Sequence, residues 1–209
     1  MTELTLEQIN KAYERIKPYI KRTPIDYSFN ISKITDCNLY LKLEIFQRCR
    51  AFKFRGAISK ISTLPKGSTI VCASAGNHSQ GCSLSSQLCG INCIVYMPET
   101  APEEKVIATK SYGAEVRQFG QTFDEANSKC KEDLKENPDH IFVPPFDDLD
   151  VMAGQGTIGL EILEDVKNVQ TVVVAVGGGG LCAGICVAIK SVLPNCRIIA
   201  VNGALFPST

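Results

Sequence analysis

The chain has 209 residues, 44% of them hydrophobic and 21% charged, enough for one sizeable core or two lobes. Lys plus Arg and Asp plus Glu are equal at 22 each, so no global field recruits nucleic acid or an anionic membrane, and a small neutral or zwitterionic partner fits better. The start, "MTELTLEQINKAYERIK", has neither the basic flank nor the apolar core of a signal peptide, and no stretch has the length to span a bilayer, which makes the cytosol the expected location.

The first predicted helix opens at Thr5 with Gln8 three residues on, a capping-box spacing, and carries Leu6, Ile9, Tyr13 and Ile16 on one stripe up to Pro18. "DCNLYLKLEIF" reads as a strand, and "FKFRGAISKISTL" as a helix whose Phe54, Ala57, Ile58 and Ile61 share a face. From residue 68 strands and helices alternate. "STIVCAS" is a strand, 77–89 a helix ending at Gly90, and "INCIVYM" a strand. Pro102 then opens a helix that Gly113 closes, "AEVRQF" is a strand, 123–136 a charged helix, and "HIFVPPF" a last strand. Four strands with helical crossovers describe a small parallel α/β lobe over 68–146.

Beyond it, "VMAGQGTIGLEILEDV" is a helix carrying three glycines, "TVVVAV" a fully apolar strand, "LCAGICVAIKSVL" a helix and "RIIAVN" a further strand. With the N-terminal segment these make a second lobe, 1–67 plus 147–209, and a cleft between the two lobes is where a ligand is expected. After "RIIAVN" only "GALFPST" follows, so this larger lobe is expected to be incomplete at its C-terminus. The ten cysteines form no C-x-x-C pair, and Cys72, Cys82, Cys89, Cys93, Cys182 and Cys186 fall inside apolar patterns. They read as buried reduced thiols rather than a metal cluster or disulfides.

Three stretches carry chemistry. "VGGGGL", 176–181, lies between an apolar strand and a helix, so its amides form an anion nest suited to a phosphate. Gly178, Gly180 and Ala183 fit G-x-G-x-x-A, yet the next strand ends in Asn202 rather than the acid that holds a ribose, and no Lys-Ser/Thr pair makes a Walker loop. "SAGNHSQG", 74–81, repeats the strand-turn-helix geometry with bare amides suited to a carboxylate. There Asn77 and His78 are also readable as plain capping residues, and His78 has no Ser or Cys at a triad spacing. Lys53, between Phe52 and Phe54 at a helix N-terminus, is either an ordinary solvated charge or an amine whose neutral form is favoured by lost hydration and the helix dipole. A phosphate nest, a carboxylate nest and an activated lysine together describe pyridoxal phosphate chemistry on an amino acid.

In this order and spacing, "AFKFRGA", "SAGNHSQG", "PFDDLDVMAGQGT" and "VGGGGL" resemble the serine/threonine dehydratases and serine racemases, the fold-type II pyridoxal phosphate enzymes. The resemblance covers about residue 20 to residue 202. It implies a two-lobed, tryptophan synthase beta-like α/β architecture with parallel sheets, and pyridoxal 5'-phosphate as cofactor. Carried over by position, it implies Lys53 as the Schiff-base lysine and proton carrier and Phe52 against the pyridine ring. Asn77 would bond the ring's phenolic oxygen, Gly177, Gly178, Gly179, Gly180 and Leu181 the phosphate, and Ser74, Ala75, Gly76, Asn77 and His78 the substrate carboxylate. No metal ligand is implied. Racemisation in this family looks to need a serine where this chain has Ala75, so the resemblance points to L-threonine or L-serine dehydration to a 2-keto acid and ammonia. The alternatives are a shortened, non-catalytic member that binds the cofactor weakly or associates with a full-length relative, and a dinucleotide-binding domain. Self-association into a homo-oligomer is left open.

Overall fold

A computed structural model describes residues 3–204, so residues 205–209 of the "GALFPST" tail lie outside the described residues. Helix α1, Leu6–Ile16, starts as its sequence dictates: the Thr5 hydroxyl accepts from the Gln8 amide at 3.3 Å while the Gln8 side chain accepts from the Thr5 amide at 2.8 Å. Its buried face is Ile9, Ala12 and Ile16.

The segment expected as one strand over 36–46 is more broken than its apolar content suggested. A short antiparallel pair, β1 (Ile25–Tyr27) and β2 (Tyr40–Lys42), brackets an unanticipated helix α2, Phe29–Thr35. Asp36 ends α2 in the left-handed region at φ 51°, and after β2 the chain tightens into two single 3₁₀ turns. Two successive non-glycine residues of the second turn, Cys49 and Arg50, hold φ of 56° and 54°. Lys53 then opens α3, Lys53–Ile61, with Phe54, Ala57, Ile58 and Ile61 all buried as their shared face required.

The alternating region forms a four-stranded parallel sheet in the order β5-β4-β3-β6. Its strands are β3 (Thr69–Ala73), β4 (Asn92–Met97), β5 (Glu115–Gln118) and β6 (His140–Phe142). The crossover helices are α4 (Asn77–Cys89), α5 (Glu103–Ser111) and α6 (Phe123–Glu136). The period of two divides the sheet cleanly. Ile70, Cys72, Cys93, Val95 and Met97 face α4, α5 and also Ala57 and Ile61 of α3, while Val71, Ala73, Ile94 and Tyr96 face α6. Strand β6 stops at Phe142 instead of running to Phe146, because Pro144 and Pro145 have no amide to donate to a ladder.

Helix α7, Leu149–Asp165, packs against α1, α3 and α8, Gly180–Val192. Its glycines are close approaches rather than flexible points: a Cβ at Gly154 would overlap the Arg55 carbonyl, and one at Gly156 would lie 2.9 Å from the Gly184 carbonyl. Strands β7 (Thr171–Ala175) and β8 (Arg197–Val201) pair in parallel, with Val172 and Val174 packed on Ile158, Ile185 and Ile189. The outer face departs from the doubly covered strand that "TVVVAV" suggested: Val173 is 65% and Val201 48% exposed.

Candidate active site

The motifs meet at Val143–Phe146, read in the sequence as the tail of the strand "HIFVPPF" and, from Pro145, as the start of the motif "PFDDLDVMAGQGT". Lys53 Nζ donates to the Pro145 carbonyl at 2.6 Å, and the His78 ring bonds the Val143 carbonyl at 2.9 Å. Phe146 sits under the glycine loop: a Cβ at Gly178 would overlap its ring, and one at Gly180 would lie 2.6 Å from its carbonyl oxygen. Lys53, the start of α4 and the start of α8 are thus all held by four consecutive residues. Two prolines fix that segment's φ and leave its carbonyls without ladder partners, free to accept from side chains.

Lys53 is half-buried, with its Nζ 5.4 Å from the centroid of the Phe52 ring. Burial pulls its ammonium below the ordinary lysine range, and the Cys82 sulfur opposes this. The shift runs toward the neutral, nucleophilic amine, the same direction that lost hydration between the flanking phenylalanines implies. Phe52, like Leu181 and Cys182, packs against the buried cluster of α7, β7 and α8. Gly81 brings α4 against the base of Lys53, since a Cβ there would lie 3.3 Å from the Lys53 carbonyl.

The turn at 74–78 is built by its own side chains: Ser74 Oγ accepts from the Gly76 amide at 3.1 Å, and Ser79 Oγ donates to the Gly76 carbonyl at 2.6 Å. Asn77 is exposed at the first position of α4, where the helix's unpaired amides point outward. His78, unlike residues 74–77 before it, is buried, with its side chain turned into the protein toward Val143 and Cys82. Desolvation holds its pKa down to about 4, against the bond to Val143, so its ring is neutral. Of His78, the group left for an anion at this turn is its backbone amide.

At the other nest, Gly179 adopts φ 85° as the residue before α8, and a Cβ at Gly177 or Gly179 would meet nothing within 4 Å. The loop is thus closed by Phe146 on one side and open on the other, above the first turn of a 13-residue helix. That open, amide-lined face fits a phosphate, and the half-buried lysine fits a carbonyl partner.

Sequence reading missed what anchors α3. Arg55, fully buried, donates from Nε and Nη2 to Glu44 at 2.9 Å each and from Nη1 and Nη2 to Glu161 at 2.7 and 2.9 Å. Lys42 Nζ closes the group, 2.5 Å from Glu161 and 2.6 Å from the Thr23 carbonyl. A sequence signal existed: Arg55 and Glu161 each interrupt an otherwise apolar or small-residue helical face.

An α/β protein with a half-buried lysine and two helix-terminal anion nests gathered on one segment belongs to the class that binds a phosphorylated carbonyl cofactor. The chain is a member of the family described as pyridoxal-phosphate dependent enzyme, which matches residues 16–208. It is 52% identical over 203 residues to the L-threonine dehydratase catabolic TdcB of Staphylococcus aureus strain USA300, covering 95% of this chain and 58% of that protein. The serine racemase from Dictyostelium discoideum superposes with a TM-score of 0.91 at 36% identity, covering 96% of this chain and 66% of that one. The processed form of threonine deaminase isoform 2 from Solanum lycopersicum gives 0.88 at 34%, covering 96% and 58%. The chain therefore spans about three-fifths of the length of these relatives.

Proposed function

We propose that this chain binds pyridoxal 5'-phosphate through Lys53 and supports dehydration and deamination of L-threonine or L-serine to a 2-keto acid and ammonia. The observation that carries the reading is the desolvated Lys53 amine held on Pro145, beside the Phe146 that underlies the glycine loop. It is supported by the dehydratase and deaminase names of the relatives.

The amides of Gly177–Leu181 hold the phosphate, Phe52 supports the ring and Asn77 faces its phenolic oxygen. Amides of the Ser74–His78 turn hold the substrate carboxylate. The bound cofactor supplies an electron sink for the carbanion left when the α-proton is removed. With the cofactor bound, Lys53 Nζ would take the α-proton and, as the ammonium, could return it to the departing β-hydroxyl so that the hydroxyl leaves as water. Ala75 offers no hydroxyl to deliver a proton to the opposite face, so dehydration is favoured over racemisation. The reading also takes 68–146 as the small lobe and 1–67 with 147–209 as the cofactor-phosphate lobe.

The test is recombinant protein with added cofactor. A visible absorbance band that Lys53→Ala abolishes, with keto-acid release from threonine or serine and no D-serine, is expected. Absence of the band in the wild type overturns the reading.

A second reading is favoured by the apolar outer face of β7–β8, with Val173 and Val201 uncovered. In it the chain binds cofactor without turnover, or associates through that face with a full-length relative. A cofactor band without keto-acid release distinguishes it.

A further inference from the structure

The ten cysteines are free thiols, and two of them converge with a histidine in the floor of the four-stranded sheet. Cys72 lies on β3, while His78 and Cys82 lie four residues apart on α4, so one helical turn stacks them on a common face toward the strand. One ligand atom from each residue lies within 4.8 Å of the others, and all three residues are buried. The set forms no C-x-x-C pattern, because its members come from two elements.

The histidine is already fixed for a ligand role. A carbonyl only accepts, so the Nε2 lying 2.9 Å from the Val143 oxygen carries the proton and Nδ1 keeps its lone pair. Anchoring one ring nitrogen on a carbonyl is how metal-bound histidines are commonly oriented. Cys82 Sγ lies 3.8 Å from Nδ1 and 3.5 Å from Nε2, so a small turn of its side chain toward Nδ1 is part of closing the site. With metal–sulfur and metal–nitrogen bonds of about 2.3 and 2.0–2.1 Å, tetrahedral to trigonal angles place the two ligand atoms roughly 3.5–3.8 Å apart. Cys72 Sγ lies within 4.8 Å of the other two ligand atoms, so side-chain rotation brings it in to complete the set.

We propose that Cys72, His78 and Cys82 form a binding site for zinc, stapling β3 to the first turn of α4 across the Ser74–Asn77 turn. Two sulfurs and an imidazole select a borderline-soft ion over a hard one. The ion displaces one proton from each thiol, and the divalent charge with two thiolates is neutral, so the apolar surroundings take up no net charge. Because the ion must displace those thiol protons, loading is stronger as pH rises. The site rests on these three residues alone and stands whether or not the proposed reaction does.

The test titrates the full chain, reduced by a phosphine, with cadmium ion alone as a spectroscopic stand-in for zinc. Expected are a thiolate-to-cadmium charge-transfer band saturating at one ion per chain, release of two protons per ion, and competition by zinc. Cys72→Ser and Cys82→Ser each remove the band, Cys186→Ser leaves it, and His78→Gln weakens binding by about tenfold or more. Because a serine variant of a buried cysteine can fail to fold, X-ray absorption on the cadmium-loaded wild type gives an independent reading. A first shell with two sulfurs and the rest light atoms supports the site. A shell of three or more sulfurs or none, or a band that survives both serine substitutions, overturns it.

Discussion

The buried charge group under α3 allows a sharp test. Arg55 and Lys42 contribute two positive charges, Glu44 and Glu161 two negative ones, and Arg55 and Glu161 are both fully buried. Glu161→Gln keeps the shape but leaves one net positive charge, and turns an amide N–H₂ toward groups that can only donate. Breaking a buried pair by removing one partner costs about 3–5 kcal/mol. For a chain of this size that is a fall in Tm of roughly 6–20 °C. Thermal melts and urea unfolding followed by far-ultraviolet circular dichroism measure it. The companion change Lys42→Met restores neutrality, because Lys42 bonds Glu161 and the Thr23 carbonyl rather than Glu44. The double variant is therefore expected to be more stable than the sum of the single losses predicts, by about 0.5–3 kcal/mol. Additive losses, or a Glu161→Gln variant within about 1 kcal/mol of wild type, would refute the balanced-charge account.

His78 makes stability depend on pH. Its folded pKa of about 4 lies below the unfolded value of 6.5, so between these the unfolded chain binds the extra proton and stability is lost as pH falls through that window. The loss amounts to about 3 kcal/mol, complete near pH 4, and the slope over this window flattens in His78→Gln. An equal slope in that variant contradicts the assignment. Arg50 holds φ 54° and its side chain is exposed, so Arg50→Gly relieves left-handed strain and is expected to raise stability by about 1 kcal/mol in urea titrations. A lower midpoint would mean that the guanidinium has a role its exposure conceals.

How much of the fold was legible in the sequence follows from how local each signal was. Helix α1 was readable because its capping box and apolar stripe are complete within 12 residues, and the parallel sheet because each strand and crossover helix carries its own period. Helix α2 was not: it is seven residues long, and its apolar Phe29, Ile31 and Ile34 are exposed rather than gathered on a buried face. The site divides on the same line. Lys53, the 74–78 turn and the glycine loop announce themselves through residue type next to a helix start, and each occupies such a start in the fold. What sets their chemistry is nonlocal. The Pro145 carbonyl that receives Lys53 is 92 residues away in sequence, and the Val143 carbonyl that turns His78 inward is 65 away. The stretch "HIFVPPF" read as a strand throughout, yet its two prolines end the ladder at Phe142 and leave those carbonyls available. Burial of His78 follows from the same contact, and it changes a residue expected to face the substrate into one whose ring faces two thiols instead. Residue type marked these three helix starts, while the partners that decide protonation came only from long-range packing.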